Sequence, residues 1–242
     1  MVVTADFDSR PVISFQHVWK TYPTGTEALR DINLVVPEGD FVFLVGPSGA
    51  GKSTLVRLLI REEKPTKGKI FVEGVELGRM KRRKLPHYRR KVGLVFQDFK
   101  LLPNLTVYEN VAFALRVLGE ADRTVQMRVA EALDTVGLAG KEHTYPANLS
   151  GGEQQRVAIA RALATDPAIV IMDEPTGNLD AANSRKVLDL IQDLQSRTGT
   201  TTVIATHDDV VAAYAARIIR LIDGRVVEDS PRHRLPLPGG ED

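Results

Sequence analysis

A chain of 242 residues with a net charge of +1 carries no global field that would draw nucleic acid or an acidic partner. The absence of cysteine excludes disulfides and thiolate metal sites and fits a reducing compartment. Hydrophobic residues at 43% and charged residues at 26% suit a globular core, and no apolar run approaches the roughly 20 residues that span a bilayer.

In chain order, residues 1–11 carry Asp6 and Asp8 and lack the apolar core of a secretory signal, so they read as a tail. Strand-like runs follow at Val12–Trp19, Leu29–Val36, Phe41–Val45 and Lys69–Glu73, with helical periodicity after residue 51. Thr106 and Glu109 form a capping box that opens a helix to about Leu118. Val125, Val129, Leu133 and Val136 share one helical face, with Gly137 as the expected C-cap. Ser150 and Glu153 make a second capping box. Its first turn holds Gly151 and Gly152, each costing about 1 kcal/mol relative to alanine in a helix. Strand Ala168–Met172, helix Ala181–Arg197 and strand Thr201–Ala205 come next. After a further helix, Asp223-Gly224 joins two short runs as a hairpin, and residues 231–242 read as a loose tail.

The runs Phe41–Val45, Val92–Phe96, Ala168–Met172 and Thr202–Ala205 are continuously apolar, the habit of parallel strands buried on both faces. They end at Gly46, Gln97, Asp173 and near His207, and ligands of such sheets bind beyond the carboxyl ends of the strands. Gly46-Pro47-Ser48-Gly49-Ala50-Gly51-Lys52-Ser53-Thr54 matches G-x-x-x-x-G-K-[ST] between a strand and a helix. Its backbone N–H groups make a nest for phosphate, Lys52 supplies a point charge, and the Ser53 hydroxyl is a ligand for Mg²⁺. Asp173-Glu174 ends a buried strand with two carboxylates, one for Mg²⁺ and one to orient or deprotonate water. Gln97 offers an amide oxygen to Mg²⁺ or positions water. His207, alone, is as readily structural as it is a contact to a γ-phosphate, and Tyr22 can stack on a purine or simply pack.

Together these residues resemble the ATP-binding-cassette ATPases, with motif order and spacing matched from Val12 to about Glu228. The resemblance implies a P-loop α/β fold spanning 12–230, with a mostly parallel core sheet, an antiparallel β subdomain and a helical subdomain at about 98–163. It implies hydrolysis of ATP with Mg²⁺ held by Ser53, Gln97 and Asp173. Glu174, His207 and Lys52 are then catalytic, and Tyr22 is the adenine-stacking aromatic. In that family two cassettes pair head to tail when ATP is bound. Ser150, Gly151, Gly152, Glu153 and Gln154 of one copy contact the γ-phosphate held by the other, and Asn178-Leu179-Asp180 forms the adjoining loop.

Within the family, Leu59–Thr66, Phe96–Pro103 and Tyr108–Phe113 are similar to the FtsE branch of cell-division ATPases. Lipoprotein-release (LolD) relatives read Gly-Leu-Asp where this chain has Arg61-Glu62-Glu63, and MacB-type exporters share Glu174–Asp180. The FtsE resemblance implies an ATPase at the cytoplasmic face of the plasma membrane, paired with an integral FtsX-like subunit and acting on cell-wall hydrolases. The alternatives are a LolD- or MacB-like exporter ATPase, or a soluble ATP-dependent clamp. Leu101-Leu102 is either a docking element for that subunit or core, and the basic run Lys81–Lys91 is a solvated face or a lipid contact.

Overall fold

The computed structural model describes residues 11–208 and 214–231. The expected tails and the helix after His207 lie outside these residues, except that Pro11 and Pro231 are the end residues of strands. In chain order the elements are β1 (Pro11–Thr21), β2 (Glu27–Pro37), β3 (Phe41–Val45), α1 (Lys52–Leu59), β4 (Lys67–Val72) and β5 (Val75–Glu76). Then come α2 (Leu85–Arg89), β6 (Val92–Phe96), α3 (Val107–Val117), α4 (Asp122–Thr135), α5 (Gly151–Leu163) and β7 (Ile169–Asp173). The chain closes with α6 (Ala181–Thr198), β8 (Thr201–Thr206), β9 (Arg217–Ile222) and β10 (Arg225–Pro231). It divides into two compact units, one up to Arg79 and again from Ala205, the other from Met80 to Ile204.

In the first unit, β2, β1, β4 and β5 form an antiparallel sheet in that order. Ile13, Phe15 and Val18 of β1 are buried, as are Leu29, Ile32, Leu34 and Val36 of β2. Alternation along these strands is what a sheet with one covered face requires. β3 is buried at all five positions and pairs in parallel with β9, Phe43 opposite Ile218. This is the behaviour expected of its continuous apolar run. The β9–β10 hairpin turns at Asp223 and Gly224, with φ of 47° and 74°, the doubly left-handed turn that suits tight hairpins.

In the second unit, β8, β7 and β6 lie in that order, and β6 runs parallel to β7 with Phe96 opposite Asp173. Helix α5 lies against β6. A side chain on Gly93 would meet the Ala162 carbonyl at 2.9 Å, so the bare backbone permits the approach. Both expected capping boxes are present, Thr106 with Glu109 and Ser150 with Glu153. Helix α4 buries Val125, Val129 and Leu133. Its C-cap is Val136 rather than Gly137, which follows at φ 65° and takes the left-handed position just past the helix.

Candidate functional site

The first unit holds the phosphate loop between β3 and α1. Gly46 leaves the strand with no room for a side chain, since a Cβ there would lie 2.2 Å from the Leu221 carbonyl oxygen. Gly51, at φ 109°, begins α1 and brings no side chain to cap it. The positive end of the helix dipole is thus left to an anion. Lys52 is buried and its Nζ donates to the carbonyl oxygens of Gly46 (2.7 Å) and Pro47 (3.1 Å), folding the ammonium over the loop. Ser53 is exposed beside it. Tyr22 stands just past β1, with its hydroxyl 3.4 Å from Thr54 Oγ1 in the first turn of α1. Aromatic ring and phosphate loop therefore belong to one neighbourhood. His207, also in this unit, follows the end of β8 and is exposed.

The second unit holds the remaining motifs. Gln97 follows β6, and Asp173 ends the adjacent parallel strand β7. Glu174 comes next with φ 50°, a left-handed conformation that non-glycine residues seldom adopt outside constrained sites. Asn178 Nδ2 donates to the Gln97 carbonyl at 2.9 Å, and a side chain on Gly177 would strike Gln97 Nε2 at 2.8 Å. The loop carrying Gly177 and Asn178 is thereby seated on Gln97.

Helix α5 starts at the signature. The Ser150 hydroxyl donates to Glu153 Oε2 (2.9 Å) and accepts from the Glu153 N–H (3.3 Å), while the Ser150 N–H donates to Glu153 Oε2 (2.8 Å). Lys141 donates to the other Glu153 oxygen. The Lys141 ammonium and then the Ser150 donors hold the Glu153 carboxyl down at about 2. Gln154 Nε2 donates to the Leu149 carbonyl at 3.2 Å. Gly152 has a reason inside its own unit: a Cβ would lie 3.0 Å from Asn183 Oδ1. Asn183 in turn donates through N–H and Nδ2 to the two Asp180 oxygens (2.8 and 2.7 Å), holding that carboxyl below the usual carboxylate range. The first turn of α5 thus packs closely against Asn183 in the first turn of α6. The cost of glycine in the first turn of α5 is therefore offset partly by packing, whatever anion also meets that helix end.

Sequence reasoning missed three positioning residues. Asn183 is one. Arg161 donates to the carbonyls of Lys100 (2.6 Å) and Phe99 (2.8 Å), clamping two consecutive residues at φ 57° and 48° just after Gln97. Asn110 is fully buried, accepts from the Leu102 N–H (2.8 Å) and donates to the Leu102, Leu105 and Thr106 carbonyls. A sequence signal existed for Asn110 alone: an amide on the apolar stripe of Val107, Val111 and Leu115 needs partners. The segment it clamps turns Leu102 outward at 38% exposure, and Phe113 and Val117 on α3 are half-exposed at 50% and 57%. Leu101 is intermediate.

Comparison with known proteins gives a consistent picture. The family model described as ABC transporter matches residues 29–177. The chain is 50% identical over 222 residues to the cell division ATP-binding protein FtsE of Bacillus subtilis, covering 91% of this chain and 97% of that one. It is 44% identical to FtsE of Escherichia coli, covering 89% and 97%. A solved dimeric ATP-binding cassette, MJ0796, in a post-hydrolysis state bound to ADP and Pi, superposes with a TM-score of 0.82 at 38% identity, covering 90% and 98%.

Proposed function

This chain belongs to the ATP-binding-cassette ATPase family, matched over more than half its length by the family model and by relatives 44% and 50% identical, and we propose that it is the ATP-hydrolysing subunit of a membrane-associated cell-division complex. One observation carries the reading. The likeness to the cell-division proteins runs along 91% of this chain and 97% of the Bacillus protein, so it is not confined to the nucleotide motifs. The cassette is taken to span 12–230, in keeping with β1 starting at Pro11 and β10 ending at Pro231, with its helical part at about 98–163.

The chemistry follows from the side chains. On binding ATP, the Lys52 ammonium exchanges the Gly46 and Pro47 carbonyls for phosphate oxygens, and the uncapped start of α1 receives the charge. Gly46 to Thr54 form the phosphate cradle, and Tyr22 stacks on the base. Glu174 takes a proton from the attacking water, and His207 contacts the γ-phosphate. Ser53, Gln97 and Asp173 offer hydroxyl, amide and carboxylate oxygens, a hard donor set that fits Mg²⁺, and Gln97 already turns its nitrogen to Asn178. A Mg²⁺ ion held by these oxygens would supply neutralisation of phosphate charge.

The signature acts in a head-to-tail homodimer; the solved cassettes that this chain resembles include dimeric ones. Ser150 has one hydroxyl proton, donated here to Glu153. Donating it to a partner's γ-phosphate means releasing that bond while still accepting from the Glu153 N–H. Gly151, Gly152, Glu153 and Gln154 complete the contact, and Asp180 continues it. No helix among the described residues is long and apolar enough to cross a membrane. In keeping with the likeness to FtsE, an integral FtsX-like subunit holds the chain at the cytoplasmic face of the plasma membrane, with Leu102, Phe113 and Val117 as the exposed apolar contact.

Depletion of the protein in its host tests the reading. Cells that keep growing but fail to separate support it. Normal division with lost lipoprotein release or macrolide export would assign it to the exporter branch instead.

A further inference from the structure

We infer that Lys20 is a positioning residue for nucleotide binding: paired with Glu63, its ammonium holds one face of the Tyr22 ring and leaves the other for a purine. The inference rests on the reading of Tyr22 as the base platform.

Lys20 is 7% exposed, unusual for a lysine, which is seldom buried unless paired. Its Nζ donates to Glu63 Oε2 at 2.6 Å and to the Lys64 carbonyl at 3.1 Å. The same Nζ lies 4.9 Å from the centroid of the Tyr22 ring, within the range of about 6 Å for a cation on an aromatic face. Lys20 is the next-to-last residue of β1 and Tyr22 the first residue beyond it, so the ring meets the ammonium where the strand gives way to the following turn. The far end of the ring is held separately, by the Tyr22 hydroxyl against Thr54 Oγ1. A ring restrained at one face and at its hydroxyl has less torsional freedom to lose when a base arrives, which favours binding.

A simpler role would be to tie the end of β1 to the loop after α1. That tie exists without Lys20. Thr66 N–H donates to the Trp19 carbonyl (2.8 Å), and Thr66 Oγ1 accepts from the Thr21 N–H (2.9 Å) and donates to the Thr21 carbonyl (3.3 Å). Burying an ammonium is costly unless it is paired, and a neutral side chain would pack the gap without needing Glu63. What the charge adds is attraction to the ring face with no bulk on the opposite face.

The test compares ATP with inorganic tripolyphosphate, which has no base, by calorimetric titration in EDTA so that no turnover occurs. In Lys20→Met, preference for ATP over tripolyphosphate should fall about three- to tenfold, the range of a partly buried cation–ring contact, with tripolyphosphate binding unchanged. Tyr22→Ala should lower the same preference at least as far, and the double variant should go no further. Equal loss for both ligands in Lys20→Met would make it merely structural, and no loss for either would remove its role. An unchanged preference in Tyr22→Ala would overturn the platform reading itself. Should Lys20→Met not fold, Glu63→Gln at the more exposed partner must lower the preference too, and an unchanged preference there overturns the inference.

Discussion

Gln97 and Asn178 hold each other reciprocally: Asn178 Nδ2 donates to the Gln97 carbonyl at 2.9 Å, and Gln97 Nε2 donates to Asn178 Oδ1 at 3.4 Å. Eighty-one positions separate them, yet the pair joins the residue after β6 to the loop after Glu174. The shorter bond fixes backbone and the longer one orients the amide. Asn178→Ala should therefore lower kcat about fivefold, the equivalent of one hydrogen bond of about 1 kcal/mol, and leave ATP affinity within twofold. Steady-state turnover and equilibrium binding decide it. Unchanged kcat would separate the loop from catalysis.

Lys52 and Glu174 should fail in opposite ways. Lys52→Ala removes the charge over the phosphate loop and should abolish ATP binding and turnover together. Glu174→Gln keeps size and hydrogen bonding but cannot take a proton, so ATP should bind, hydrolysis should nearly stop and ATP-bound dimer should accumulate. Sedimentation velocity with and without ATP separates the two. Normal turnover in Glu174→Gln would return that carboxylate to the role of a turn residue.

Glu153 supplies a pH signature for the signature helix. Its folded carboxyl lies at about 2, below the ordinary 4.5, first through the Lys141 ammonium and then through the Ser150 donors. A depressed carboxylate stabilises the fold fully above the unfolded value, and the contribution is lost as pH falls from 4.5 through about 2. The gap in urea midpoint between wild type and Glu153→Gln should therefore be constant between about pH 6 and 7 and smaller at about pH 3. An equal gap at both ends would mean that the capping geometry, not the charge, carries the effect.

What was legible in the sequence was whatever is local. The capping boxes of Thr106 and Ser150 depend on residues three apart, the Asp223-Gly224 turn on two neighbours, and the phosphate loop on one continuous motif. Each has a signature because its chemistry is contained within a few residues. The couplings were not legible. Gly152 read as a helix-start glycine waiting for an anion, whereas its bare face also fits Asn183, which lies on another helix. Arg161 has no local signature in the sequence, and its guanidinium clamps the left-handed pair Phe99 and Lys100. Contacts of that kind depend on how helices and loops come together, for which pattern and period hold no information.

Leu102 gives the last prediction. From sequence, Leu101 and Leu102 could be core or contact. Leu102 is 38% exposed, while the backbone on both sides of its side chain is pinned by Asn110, which accepts its N–H and donates to its carbonyl. The segment is held rigidly with its apolar side chain outward, and Phe113 and Val117 are exposed on the helix that carries Asn110. Leu102→Asp should accordingly leave the melting temperature within about 2 °C of wild type, since exposed substitutions cost within about 0.5 kcal/mol. ATP binding should also persist. Co-purification with the integral membrane subunit should be lost, because a carboxylate pressed into an apolar contact is desolvated without a partner. Asn110→Ala is the complementary case: it leaves buried backbone groups unpaired, so it should lower the melting temperature by several degrees and loosen the same contact indirectly. Leu102→Asp that folds, binds ATP and still brings the membrane subunit with it would show that docking lies elsewhere on the chain.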